Sequence, residues 1–150
     1  MKLLKPSLTA KPKRRAARQP MPALIDPMLA TLSQRLPIRQ EDYAFEYKWD
    51  GVRAICRWDG DSLTLQSRNL ADITNRYPEI WPLADAFGSR PVMLDGEVIA
   101  LDEHERPSFS RLQKRMHVRD MIAVRRLMGE VPVFFVIFDI LWLDGQSLSG

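Results

Sequence analysis

Three short runs in which apolar and polar residues alternate, at 43–48, 52–58 and 62–66, constrain the fold of this chain most tightly. A period of two puts successive side chains on opposite faces of a strand. Asp59-Gly60, between the last two runs, supplies the turn chemistry of a hairpin. An antiparallel sheet is therefore expected to begin near Tyr43. A further β segment is expected at 92–101, and the apolar, β-branched and aromatic run 131–143 reads as a buried strand. Between these, Ile80, Leu83, Ala84 and Phe87 fall at helical spacing after Pro78, with Gly88 as a stop, which predicts a short amphipathic helix. Ser108 is placed to cap a helix through Met116, and 121–128 suggests another. Strands and helices in this order give an α+β fold, without the regular alternation of a doubly wound parallel sheet.

With 150 residues the chain can bury one real core. No stretch reaches the roughly 18 apolar residues that span a bilayer, because the richest run contains Asp139, so no membrane segment is expected. Cys56 is the single cysteine. A disulfide framework or a cysteine-based zinc site within the chain is thereby excluded, and Cys56 reads as a small buried residue of an intracellular, cytoplasmic protein. The net charge of +3 is unevenly spread: residues 1–20 hold seven basic groups and no acid, leaving 15 basic against 19 acidic groups in the rest. Four prolines (Pro6, Pro12, Pro20 and Pro22) interrupt this start, so residues 1–22 are expected to be a disordered basic tail or linker and 23–150 the domain. The tail is either a solvated linker or a phosphate-contacting arm. Residues 22–37 read as a lead-in packed on the domain surface.

The chemistry concentrates in Glu46-Tyr47-Lys48-Trp49-Asp50-Gly51-Val52-Arg53. A solvated turn accounts for such a charged run. The alternative puts Lys48 at a strand end facing a cleft, with Gly51 allowing a tight bend and Arg53 returning on the next strand. A lysine so placed is a nucleophile once deprotonated, and arginine grips phosphate or ribose. Asp50 beside the free amine favours the ammonium, which a metal ion or another cation would have to offset. Ser67-Arg68-Asn69 follows the hairpin. In Leu94-Asp95-Gly96-Glu97 the carboxylates at i and i+2 share one sheet face, where desolvation demands partners; a hairpin turn at Asp95-Gly96 is the competing reading. Phe138 by default is a core aromatic, and Asp139 inside the same apolar run needs a partner.

These stretches together resemble the ordered motifs of the covalent nucleotidyltransferases. EYKWDGVR is similar to the KxDGxR motif shared by ATP-dependent DNA ligases, RNA ligases and messenger RNA capping enzymes. The SRN, LDGE and FDILWLDG stretches match the following ligase motifs in order and spacing, and the segment 109–116, with Gln113 and Arg115, resembles bacterial repair-type ligases. The resemblance, covering roughly 27–148, implies an antiparallel-sheet, ATP-grasp-like nucleotidyltransferase (adenylation) domain, ATP and Mg²⁺ as cofactors, and nicked or broken duplex DNA as partner in repair and recombination. It implies Lys48 as the residue that takes AMP, Arg53 and Arg68 on ribose and phosphates, Glu97 on ribose or metal, and Phe138 stacked on the base. Glu46 then suits the adenine amino group, which favours ATP over GTP. The later EGxxxK and KxK motifs and the OB-fold domain of a complete ligase do not occur before Gly150, so the domain is expected to be incomplete at its C-terminus. The alternatives are a truncated non-catalytic nucleotide- or nucleic-acid-binding remnant and a sibling activity, RNA ligase or capping nucleotidyltransferase.

Overall fold

The computed structural model describes residues 19–29 and 31–148. The expected tail lies outside the described residues up to residue 18. Strands β1 (Val52–Trp58), β2 (Leu63–Ser67), β3 (Val92–Ala100), β4 (Val133–Leu143) and β5 (Gln146–Ser147) form a sheet in the order β2-β1-β3-β4-β5. Every neighbouring pair is antiparallel. Helices α1 (Phe109–Met116) and α2 (Met121–Glu130) occupy the β3–β4 connection, capped by the side chains of Ser108 and Asp120 respectively. No described helix is long and apolar enough to cross a membrane.

Strand alternation gives the sheet two different faces. One carries Ala54, Cys56, Leu65, Leu94 and Val98, packed against Tyr77, Ile80, Leu112 and Val131 as the main core. The other carries Ile55, Met93, Leu141 and Trp142, covered by Met21 and Ile25. Those two covering residues belong to a strap, residues 19–29, pinned at both ends. The Gln19 N–H donates to the Gly145 carbonyl at 2.8 Å, and the Gln66 side-chain amide donates to the Ile25 carbonyl at 2.8 Å. The expected boundary between residues 22 and 23 falls inside this strap, whose first apolar residue, Met21, is already part of the folded body.

The hairpin is as expected. Asp59 Oδ1 accepts the N–H groups of Asp61 and Ser62, Arg57 binds Oδ2 at 2.9 Å, and Gly60 takes φ +101°. These bonds, the Ser62 one foremost, hold the Asp59 carboxyl down at about 2. Cys56 is buried, and desolvation pushes its thiol up to about 12. A thiol-reactive reagent is accordingly expected to leave Cys56 unmodified in the native chain and to label it stoichiometrically in urea; rapid native labelling would contradict this packing.

Several expectations are corrected. Residues 43–48 form no strand: Tyr43, Phe45 and Tyr47 are 59–71% exposed, and no described strand lies beside them to complete a ladder. The predicted helix near Ile80 is a 3₁₀ segment, Pro78–Ala86, because Pro82 inside it has no N–H to donate. Asp95-Gly96 makes no hairpin; both residues lie within β3. Gly96 is needed there, since a Cβ would stand 2.6 Å from the Phe135 ring and the Val136 carbonyl oxygen. Asp139 is exposed and accepts the Ile140 N–H at 2.7 Å, so no buried partner is required.

Strand β4 departs from regularity twice. Its register against β3 shifts between Met93 and Leu94 and between Asp95 and Gly96. At the second shift Asp139 faces Asp95 and Ile137 faces Gly96, so Phe138 is the extra, bulged residue. Among the described residues, beyond β4 lies only the two-residue β5, opposite Trp142 and Leu143. Among the described residues, the outer edge of β4 from Val133 to Ile140 is unpaired, with Phe134, Ile137, Phe138 and Ile140 exposed.

A buried arginine joins the 3₁₀ segment to the helices. The Arg115 side chain is 0% exposed and binds both Glu79 oxygens, at 2.7 and 3.0 Å, and the carbonyls of Val131 and Arg76. Its guanidinium also lies 5.7 Å from the Tyr77 ring centroid.

Candidate active site

The start of β1 and its antiparallel neighbours set the site. Register pairs Arg53 with Glu97 and Ile55 with Asp95, so both carboxylates and Arg53 share the strap-covered face. Asp95 is 3% exposed and takes Arg53 bidentately, Nε to Oδ1 at 3.0 Å and Nη2 to Oδ2 at 2.6 Å. The third guanidinium nitrogen, Nη1, donates to the Met28 carbonyl of the strap at 2.5 Å. The hydrogen bonds that Arg53 donates to Asp95 raise its pKa further above the ordinary value. The guanidinium carbon then lies 5.6 Å from the centroid of Phe138. Geometry thus makes Arg53 a fixed platform beneath Phe138, with one N–H left on each terminal nitrogen. Val136 faces Glu97, so alternation along β4 puts Phe138 two residues on at the same face as Arg53.

Glu97 has a different task from Asp95. Its Oε1 accepts the Gly51 N–H at 3.1 Å, tying the Lys48–Gly51 turn to β3. Desolvation raises its pKa, opposed by that bond and by the nearby charges of Arg53 and Lys48. No side chain is possible at Gly51, whose Cβ would collide with the Val98 carbonyl oxygen. Lys48 itself is exposed and preceded by no strand, contrary to the expectation, but it lines the same cleft as Arg53. The rings of Tyr47 and Trp49 flank it with centroids 5.0 Å apart.

One cleft of about 1020 Å³ is lined by Glu46, Lys48, Arg53, Arg68, Glu97 and Phe138, which brings together all six residues singled out in the sequence. Its other end is formed by Arg76, Tyr77, Met116 and His117, which sequence reasoning missed. They come from a 3₁₀ segment and a helix end about 40 residues apart, joined by the Arg76 Nη1 bond to the Met116 carbonyl at 2.6 Å. No local pattern announces that contact. Among the described residues no group of three or more His, Cys, Asp or Glu side chains could hold a metal on its own. Glu97 uses one carboxylate oxygen on the Gly51 N–H, and its second oxygen is a hard donor of the kind that suits a divalent cation.

Replacing Asp95 by Asn keeps the shape of this pair and removes its charge. Asp95→Asn is expected to lower the unfolding free energy by about 1–3 kcal/mol. Urea denaturation at unchanged m-value measures it, and an unshifted midpoint would show that the pair contributes nothing.

Residues 27–150 match the family model described as "ATP dependent DNA ligase domain". The chain is 40% identical over 122 residues to the multifunctional non-homologous end joining protein LigD of Mycolicibacterium smegmatis, covering 81% of this chain and 14% of that protein. It is 36% identical over 126 residues to DNA ligase C of Mycobacterium tuberculosis, covering 84% and 34%. A solved structure of mycobacterial DNA ligase D complexed with ATP and MES superposes with a TM-score of 0.56 at 36% identity, over 69% of this chain and 30% of that one. The chain thus spans about a seventh of the LigD relative and a third of DNA ligase C. With an antiparallel sheet of the same fold and a family match over most of its length, this chain belongs to the ATP dependent DNA ligase domain family.

Proposed function

We propose that the chain forms one wall of an ATP site in a DNA ligase that seals breaks during repair, and that Lys48 accepts AMP there. The observation that supports this best is the convergence of Glu46, Lys48, Arg53, Arg68, Glu97 and Phe138 on one cleft. In the reaction the deprotonated Nζ of Lys48 attacks the α-phosphorus of ATP. A P–N bond forms as the bond to the β-phosphate oxygen breaks, pyrophosphate leaves with the electron pair, and the amine proton goes to solvent. AMP then passes to the 5′-phosphate at a nick, and the adjacent 3′-hydroxyl displaces it.

The residues divide the work by their partners. Arg53, already neutralised by Asp95, sets the plane on which Phe138 and the adenine stack, while Glu46 accepts from the exocyclic amine. Arg68 is exposed with no ion pair among the described residues, so its charge is available to phosphate. Glu97 spends one oxygen on the Lys48 turn and offers the other to ribose or to a phosphate-borne Mg²⁺, whose chemistry is to draw charge from the leaving pyrophosphate.

Intact mass after incubation with Mg²⁺ and either ATP or GTP tests the reading, both on this chain and on a natural protein extending past Gly150. Gain of one AMP is expected with ATP. Faster gain from GTP would overturn the role given to Glu46, and no gain in the extended protein would overturn the lysine adenylylation.

A further inference from the structure

We infer that α1, α2 and their connection form a contact surface for duplex DNA phosphates beside the cleft, a proposal that rests on the ligase reading above. Residues 109–126 hold six basic groups and one acid, whereas the remainder of 21–150 holds nine basic and 18 acidic groups. Net positive charge is thus concentrated in the helical pair, while the remainder of 21–150 is net negative.

The charges in this segment are not all spent internally. Arg115 is buried against Glu79, Arg111 donates to the Glu130 carbonyl, and Arg126 pairs with Glu130 at 3.5 Å. Lys114, Arg119 and Arg125 are exposed and have no hydrogen-bond or ion-pair partner among the described residues. An ordinary solvated helix offsets such charges with acids one turn away, but α1 contains no acid at all. Ser110, Gln113, Lys114 and His117 fall at helical spacing opposite the buried Leu112 and Arg115. His117, at the end of that row, lines the same cleft as Arg68 and Lys48, so this row adjoins the cleft. Point charges on flexible stems, without an aromatic or amide cluster to read base edges, suit sequence-independent phosphate contacts.

The test is the salt dependence of binding to a nicked duplex, read by fluorescence anisotropy between 50 and 200 mM salt (a range of about the span used for such slopes). Replacing Lys114, Arg119 and Arg125 with Gln is expected to flatten the slope of log K against log salt by roughly 2–3, at about 0.9 per phosphate released. Removing Arg35, Arg39 and Arg106 instead takes away the same charge elsewhere and is expected to leave the slope within about 1 of wild type. The charge-retaining set Lys114→Arg, Arg119→Lys, Arg125→Lys should restore it, which a folding defect would not allow. An equal loss in the control set, an unchanged slope in the Gln set, or polyglutamate displacing DNA with the same residue dependence would each overturn the proposal. ATP-dependent mass gain measured on the same preparations reports separately on the adenylylation reading.

Discussion

Lys48→Ala is expected to abolish the covalent AMP adduct, a fall on the order of 10⁴-fold or more in its rate of formation, because no other group replaces a missing nucleophile. Lys48→Arg should fail equally. A guanidinium keeps the positive charge of the cleft but is not deprotonated in proteins, so it has no lone pair to offer phosphorus. The two variants together separate charge from nucleophilicity. Reversible ATP binding, measured by equilibrium dialysis, should survive Lys48→Arg within about tenfold, since that variant preserves the Coulombic attraction. An adduct retained in Lys48→Ala would place the nucleophile elsewhere, whatever the sequence around Lys48 resembles.

The second large effect lies away from the cleft. Arg115→Met is expected to destabilise the fold by about 3–5 kcal/mol, because removing one partner of a buried pair leaves the other charge uncompensated. Glu79 would lose both of its hydrogen bonds from Arg115, and the carbonyls of Val131 and Arg76 would lose theirs. Against a total stability of about 5–15 kcal/mol for a domain, that is a large share. Adding Glu79→Gln should return part of the loss, as expected for directly coupled residues. The consequence extends to the site, since the Arg76 carbonyl held by Arg115 belongs to the residue that binds the Met116 carbonyl at the cleft's far end. Thermal and urea unfolding measure the effect; a loss below about 1 kcal/mol would reduce Arg115 to a surface-like pair.

What could be read in advance follows the range of the forces involved. Strand β1 emerges at its expected residues, 52–58, because alternation and the Asp59-Gly60 turn are local signals. Residues 43–48 carry the same alternation and form no strand, because a strand is stabilised by a neighbour that no alternation supplies. The sequence predicts that Asp95 and Glu97 need partners; only the β1–β3 register assigns Arg53 to one and the Gly51 N–H to the other. Phe138 is legible as an aromatic in a motif, but only the pairing of β1, β3 and β4 puts it on the face of Arg53. Arg115 enters the sequence reading only through the resemblance of 109–116, and among the described residues it is the most completely buried charge.

The unpaired outer edge of β4 has a consequence for how the chain behaves as a substance in solution. Among the described residues no strand pairs with it from Val133 to Ile140, where Phe134, Ile137 and Ile140 are exposed, no proline or lysine blunts it, and the Ile140 N–H is taken by Asp139. Such an edge is a template for a second strand. Capture by another copy is second order, so the fraction of chain lost to self-association grows with concentration while its folding equilibrium does not. Dilute and concentrated preparations of this one sequence are therefore different samples, and the charged face of a strand laid along β4 would set which of them stays clear.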